Sequence, residues 1–146
     1  MLDTNVVSML VPSRAEASAR FLDWLDRMDG EGRIFLSVVT IHEIEKGIAL
    51  LEHKGAAAKA ASLRVWLSGL VTTYDDKILG TDAAAAALAG RLEAKAISAG
   101  HDPGMADATV AGIAKANDLV VVTFNTKHFV PFGVGVTSPN DAAGSE

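Results

Sequence analysis

The sequence predicts an α/β domain in which helices cover both faces of a parallel sheet, and three observations carry that expectation. Short apolar, β-branched runs alternate with longer helical patterns along the chain, the order expected of strand–helix–strand units with right-handed crossovers. The run from Ile34 to Val39 is interrupted only by Ser37, as suits a strand buried on both faces. Apolar residues make up 49% of the 146 residues and aromatics only 5%, so the core must be built from Ala, Val, Leu and Ile, as in helix-rich α/β packing.

The elements follow in order. Met1-Leu2 is a short first strand, and a helix from Asn5 to Leu10 ends before Pro12 and Ser13, because proline interrupts the helical hydrogen-bond ladder. Phe21, Leu22, Trp24, Leu25 and Met28 recur at helical spacing until Gly30 and Gly32 stop the pattern. After the strand from Ile34 to Val39, Thr40 opens a helix whose apolar face is Ile41, Ile44, Ile48 and Leu51. A polar break, Glu52-His53-Lys54-Gly55, separates it from a second helix over about Ala56 to Leu70; together they form a helical hairpin.

Either Val71 to Tyr74 or Ile78-Leu79 supplies the next strand. Gly80-Thr81-Asp82 then announces an alanine-rich helix running to about Ala99, before Gly100. Asp107 to Ala116 is helical, Leu119 to Thr123 is the clearest strand, and Val134-Gly135-Val136 is a last extended piece before Pro139. Residues 1–139 are expected to form one domain. Residues 140–146, ending Ala142-Ala143-Gly144-Ser145-Glu146, are expected to be a flexible tail.

Composition limits the function classes. No run approaches the roughly 20 apolar residues that span a bilayer, and the N-terminus lacks the basic-then-apolar order of a signal peptide. Absence of cysteine removes disulfides and thiolate metal sites and fits a cytoplasmic protein. A formal charge of -5 makes a poor general nucleic-acid binder, since phosphate binding is driven by Lys and Arg. Any such role needs a local basic patch or cations held by carboxylates. Walker, Gly-x-Gly-x-x-Gly and Gly-x-Ser-x-Gly motifs are absent.

Three acidic residues stand at or just beyond predicted strand ends: Asp3, Glu43 and Asp107. In open α/β sheets ligands bind outside the carboxyl ends of the strands, so carboxylates gathered there from distant segments can converge on one cation. Each also has a purely structural reading. Asp3 can cap the next helix. Glu43 closes Thr40-Ile41-His42-Glu43, a capping-box pattern. Asp107 can complement a helix dipole, but Val110, Ala111 and Ala114 follow it at i+3, i+4 and i+7, which places its carboxylate on an inward-facing stripe. Asn125, just past the strand through Thr123, is either a weak neutral ligand or a turn residue. Among the histidines, His42 and His53 read as helix-surface residues, and His128 lies near the proposed site.

Leu2-Asp3-Thr4-Asn5-Val6, Ser37-Val38-Val39-Thr40-Ile41-His42-Glu43-Ile44, Ala106-Asp107-Ala108-Thr109-Val110-Ala111 and Val122-Thr123-Phe124-Asn125, taken in that order, resemble the PIN-domain family, in particular its VapC- and FitB-like toxins. Lys46-Gly47-Ile48-Ala49 adds to the likeness. The resemblance implies a three-layer α/β/α fold with a central, mainly parallel sheet and a helical hairpin. It further implies an endoribonuclease dependent on Mg²⁺, with Mn²⁺ as a substitute, acting as the toxin of a toxin–antitoxin pair. Such a protein is usually a homodimer, is inhibited by a VapB-type antitoxin, and reaches operator DNA through that antitoxin. Asp3, Glu43 and Asp107 match the family's metal-binding acidic positions, and Asn125 stands in the fourth catalytic corner. Many relatives carry Asp there, or three residues later, where this chain has His128.

One fewer carboxylate predicts one tight and one weak metal site. Hard divalent cations prefer oxygen ligands, and Mg²⁺ usually takes one or two carboxylates while keeping several waters. Candidate phosphate contacts are Lys46, Lys54, Lys59, Arg64 and Lys127. The rival reading is a non-catalytic interaction module that binds an antitoxin and assists operator binding. A haloacid-dehalogenase-type phosphatase, with Asp3 as nucleophile, would need an Asp where Asn5 stands.

Overall fold

The computed structural model describes residues 1–144. Helices α1 (Thr4–Ser8) and α2 (Ala19–Gly30) precede strand β1 (Leu36–Ser37), which runs straight into α3 (Val38–His53) and its partner α4 (Ala57–Tyr74). Then come β2 (Ile78–Leu79), α5 (Ala83–Ser98), α6 (Met105–Ala116), β3 (Val121–Val122), α7 (Thr126–Phe129), β4 (Val136–Thr137) and α8 (Pro139–Gly144).

β1 pairs in parallel with β2, Leu36 opposite Ile78, and β3 pairs in parallel with β4, Val121 opposite Val136. The first residues of the chain join the two halves. Leu2 forms a parallel bridge with Val122, and its N–H donates to the Phe35 carbonyl at 2.9 Å. The resulting order is β2, β1, the Leu2 segment, β3, β4. Only one ladder position represents the strand expected at Met1-Leu2, yet it holds the centre of the sheet.

Alternation along these segments builds the three layers. Met1 and Val121 belong to one core cluster with Leu92, Ile113, Phe129 and Phe132. Leu2 and Val122 belong to another with Val6, Phe21, Trp24 and Leu36. Successive side chains of a strand point to opposite faces, so α5 and α6 cover one face and α1, α2 and α8 the other. A third, smaller cluster of Ile48, Ala60 and Leu67 holds the α3–α4 hairpin together, and Arg64 clamps it by pairing with Glu45 and with Glu52.

Several boundaries differ from those the sequence predicts. The run Ile34 to Val39 does not stay extended, because the Ser37 hydroxyl accepts from the Thr40 N–H at 3.3 Å and starts α3 at Val38. Val71 to Tyr74 is the last turn of α4, and Ile78-Leu79 is the strand. An unpredicted helical turn, α7, follows β3, fixed by the fully buried Phe129 packed edge-on against Phe132 at 6.1 Å. The end of the chain, expected to fray from residue 140, continues as α8. Its Ser138 cap accepts from the Asp141 N–H at 3.1 Å, and Ala143 is buried in the cluster of Phe21 and Trp24. Ser145 and Glu146 lie outside the described residues.

Helices α5 and α6 approach most closely at Gly112. A Cβ there would sit 2.7 Å from Ala89 Cβ and 3.0 Å from the Ala85 carbonyl oxygen. Gly112→Ala is therefore expected to destabilise the protein by about 1 kcal/mol in urea unfolding, overpacking outweighing the roughly 1 kcal/mol of helix propensity that alanine brings.

Candidate active site

In chain order the sheet reads third, second, first, fourth, fifth strand, so the order reverses between the Leu2 segment and β3. That gap is a topological switch point, where ligands bind outside the strand ends. Asp3 follows Leu2 directly on one side of it, and Thr123 follows β3 on the other.

Asp3 is 7% exposed and caps α1 through its Oδ1, which accepts from the Thr4 N–H at 2.9 Å. Its Oδ2 accepts from the Thr123 hydroxyl at 2.8 Å. Thr123, wholly buried, in turn accepts from Asn5 Nδ2 at 3.2 Å and from the Asn125 N–H at 3.0 Å. Asn5 Oδ1 accepts from the Phe124 N–H at 3.3 Å. The polar residues around Asp3 thus tie the loop after β3 to the start of α1. Capping and site membership are combined in this one carboxylate.

Glu43 does not close a capping box. With Ser37 as the cap, Glu43 falls one turn further into α3, and its Oε1 accepts from the Thr4 hydroxyl at 2.8 Å. Since Thr4 spends its single proton on Glu43, the Thr40 hydroxyl, 3.0 Å away, must donate to Thr4. Thr4 therefore orients Glu43 toward the segment that carries Asp3.

Asp107 lies in the first turn of α6, with Val110, Ala111 and Ala114 buried beneath it as the periodicity predicts. Its Oδ2 is 3.4 Å from His128 Nδ1. Burial pushes the Asp3 carboxyl above its ordinary value of 3.8, hydrogen bonds from Thr123 and Thr4 pull it back, and the charges of Asp107 and Glu43 push it up again. Burial likewise raises Asp107, His128 lowers it, and Glu43 raises it. Asp3 and Asp107, from segments remote in sequence, both feel the charge of Glu43, and Asp3 also feels that of Asp107.

Among the described residues no three Asp, Glu or His side chains are gathered into a ready-made cage. An all-oxygen set of mutually repelling carboxylates suits a hard cation that keeps most of its water, as Mg²⁺ does. Asn125 is exposed at the N-terminus of α7 and makes no capping bond through its side chain. Of the candidate phosphate contacts, Arg64 is occupied by Glu45 and Glu52. His42 and His53 are exposed, as expected.

Thr123 is the residue of the candidate site that sequence reasoning missed. Its signal was a hydroxyl directly after a buried apolar strand, where an unpartnered polar group would be costly. Thr123→Val is expected to cost about 1–2 kcal/mol in chemical unfolding, because Asp3, Asn5 and the Asn125 N–H all lose a partner. Thr123→Ser should retain most of that stability.

Comparison with known proteins agrees with this fold. A family model for the PIN domain matches residues 1–130. The tRNA(fMet)-specific endonuclease VapC of Shigella flexneri is 31% identical over 134 residues, covering 91% of each chain. A chain in the crystal structure of FitAcB from Neisseria gonorrhoeae superposes with a TM-score of 0.80 at 32% identity, covering 94% of this chain and 96% of that one. One in the DNA-bound VapBC of Salmonella typhimurium does so with a TM-score of 0.74 at 25% identity, covering 95% and 96%. A match over most of the sequence, on a fold that superposes nearly end to end, makes this chain a member of the PIN-domain family, of the VapC- and FitB-like kind.

Proposed function

We propose that this protein is a divalent-metal-dependent endoribonuclease and the toxin of a VapBC-type pair. The observation that supports the reading is that the charges of Asp107 and Glu43 act on Asp3, which stands at the switch point of the sheet, and that of Glu43 acts on Asp107. The relative named as a tRNA-specific endonuclease supports RNA as the substrate class. The neighbours solved as VapBC and FitAB assemblies, some with DNA, support a VapB-type antitoxin as partner and operator DNA reached through it. We assign homodimerisation on the same family grounds. Among the described residues no helix is long and apolar enough to cross a membrane.

Asp3 and Asp107 would hold the principal Mg²⁺ or Mn²⁺, with Glu43 as a further ligand or acting through water. When bound, such an ion polarises a phosphate and lowers the pKa of a water enough to make it a nucleophile. The chain's own contribution is positional. Thr123 and the Thr4 N–H fix both oxygens of Asp3, Thr4 fixes Glu43, and the first turn of α6 holds Asp107 with its Oδ2 3.4 Å from His128 Nδ1. With Asn125 in the fourth corner, one negative charge that would hold a second ion is missing.

The test is cleavage of single-stranded RNA by antitoxin-free protein, with Mg²⁺ and with excess chelator. Cleavage that needs the metal is the expected outcome. Cleavage that persists unchanged in chelator would overturn the metal dependence, and none across several RNA substrates would sink the nuclease reading and leave the interaction module in its place.

A further inference from the structure

Beside Asp107 a pocket of about 270 Å³ opens, bounded by the loop before α6 on one side and by α7 with the turn after it on the other. Asp107, a member of the candidate active site, lines the pocket together with its partner His128, so the pocket adjoins that site. The remaining wall is chemically mixed: Lys127 supplies a cation, Pro131 a flat apolar face, His101 an imidazole, and Asp102 a carboxylate acceptor. Lys127 forms no ion pair among the described residues. In a chain of net charge -5, a free lysine next to an acidic centre is placed where a phosphodiester would need it.

Resting on the ribonuclease reading above, we propose that this pocket seats the nucleotide adjoining the phosphate that is cut, with Lys127 on its backbone phosphate and His101 and Pro131 against its base. Single-stranded RNA is recognised by splayed bases that stack on flat side chains, histidine included, and that offer their edges to hydrogen-bonding groups. A cationic contact to the backbone beside such a platform is the usual composition of a single-strand site. A pocket for the flanking nucleotide also lessens the need for a broad basic surface in a chain of net charge -5. Lys127 and His101 act here in substrate positioning and specificity, not in bond breaking.

The experiment has two arms. In chelator, where nothing is cut, binding of a fluorescein-labelled single-stranded RNA is followed by anisotropy across a salt titration for wild type, Lys127→Ala, His101→Ala and, as a control at the far end of α6, the exposed Lys115→Ala. With Mg²⁺, the same proteins are compared in KM and kcat. Lys127→Ala should weaken binding several-fold and flatten the log–log salt slope by about 0.7, the value of one single-strand phosphate contact. His101→Ala should weaken binding with little change of slope, and both should raise KM far more than they lower kcat. Lys115→Ala should match wild type. If wild type binds and cleaves RNA and the two pocket variants do the same with equal KM and slope, the subsite is wrong and the nuclease reading stands. If wild type neither binds nor cleaves RNA, both fall together.

Discussion

Asp107→Asn is expected to reduce metal-dependent RNA cleavage at least roughly a hundredfold, since losing even a residue that supports a metal ligand costs 10–100-fold in affinity or activity. The same substitution should leave the metal-free protein folded and no less stable than wild type. The carboxyl of Asp107 is pushed up by burial and by Glu43, and the His128 interaction only partly offsets that. An amide of the same shape carries no charge to bury, and it can still accept from the imidazole. Loss of activity without loss of stability separates a functional carboxylate from a structural one. A variant that melts several degrees below wild type, or that cleaves at near wild-type rate, would contradict this assignment.

Mg²⁺ at about 100 times its Kd should stabilise the folded protein by about 2.7 kcal/mol, roughly 8 °C in Tm for a domain of this size at about 3 °C per kcal/mol. The pH dependence has a definite sign. Asp3 and Asp107 both have their carboxyls raised above 3.8 in the folded state. Between that value and the raised ones, the folded protein therefore binds more protons than the unfolded chain, and stability contributed by these groups falls as pH rises through the window. Without metal, moving from neutral pH down into the window should relieve part of the repulsion among the carboxylates. With metal the trend reverses, because only the deprotonated carboxylates bind the ion and binding releases protons. Differential scanning fluorimetry from pH 4 to 8, with Mg²⁺ and with chelator, measures both. A Tm indifferent to metal at every pH, or a metal effect that survives in both Asp3→Asn and Asp107→Asn, would remove these carboxylates from the metal site.

Much of the molecule is legible in the sequence, for identifiable reasons. Helical spacing located α2, α3, α5 and α6, because a one-sided apolar face repeats many times and tolerates local exceptions. Asp107 stood out because a charge on an inward-facing stripe must be compensated. The strands were harder. Two-residue ladders such as β2 and β4 carry almost no periodicity, and β1 was overrun by α3 because a single serine hydroxyl can decide where a helix begins. The helix at the C-terminus was missed because alanine, glycine and serine look frayed until an aromatic cluster is found to receive Ala143.

The sequence by itself determined the fold class, the order of the longer helices and which acidic residues deserved suspicion, since these depend on local periodicity and on the cost of burying charge. Tertiary structure alone decided what the carboxylates do to one another. Only the sheet order places Asp3 at the switch point, only the Ser37 cap frees Glu43 to accept from Thr4, and only the buried Phe129 sets Lys127 and His128 beside Asp107. Those relations join residues as many as 120 positions apart, and no local signal encodes a contact made by closing the chain on itself.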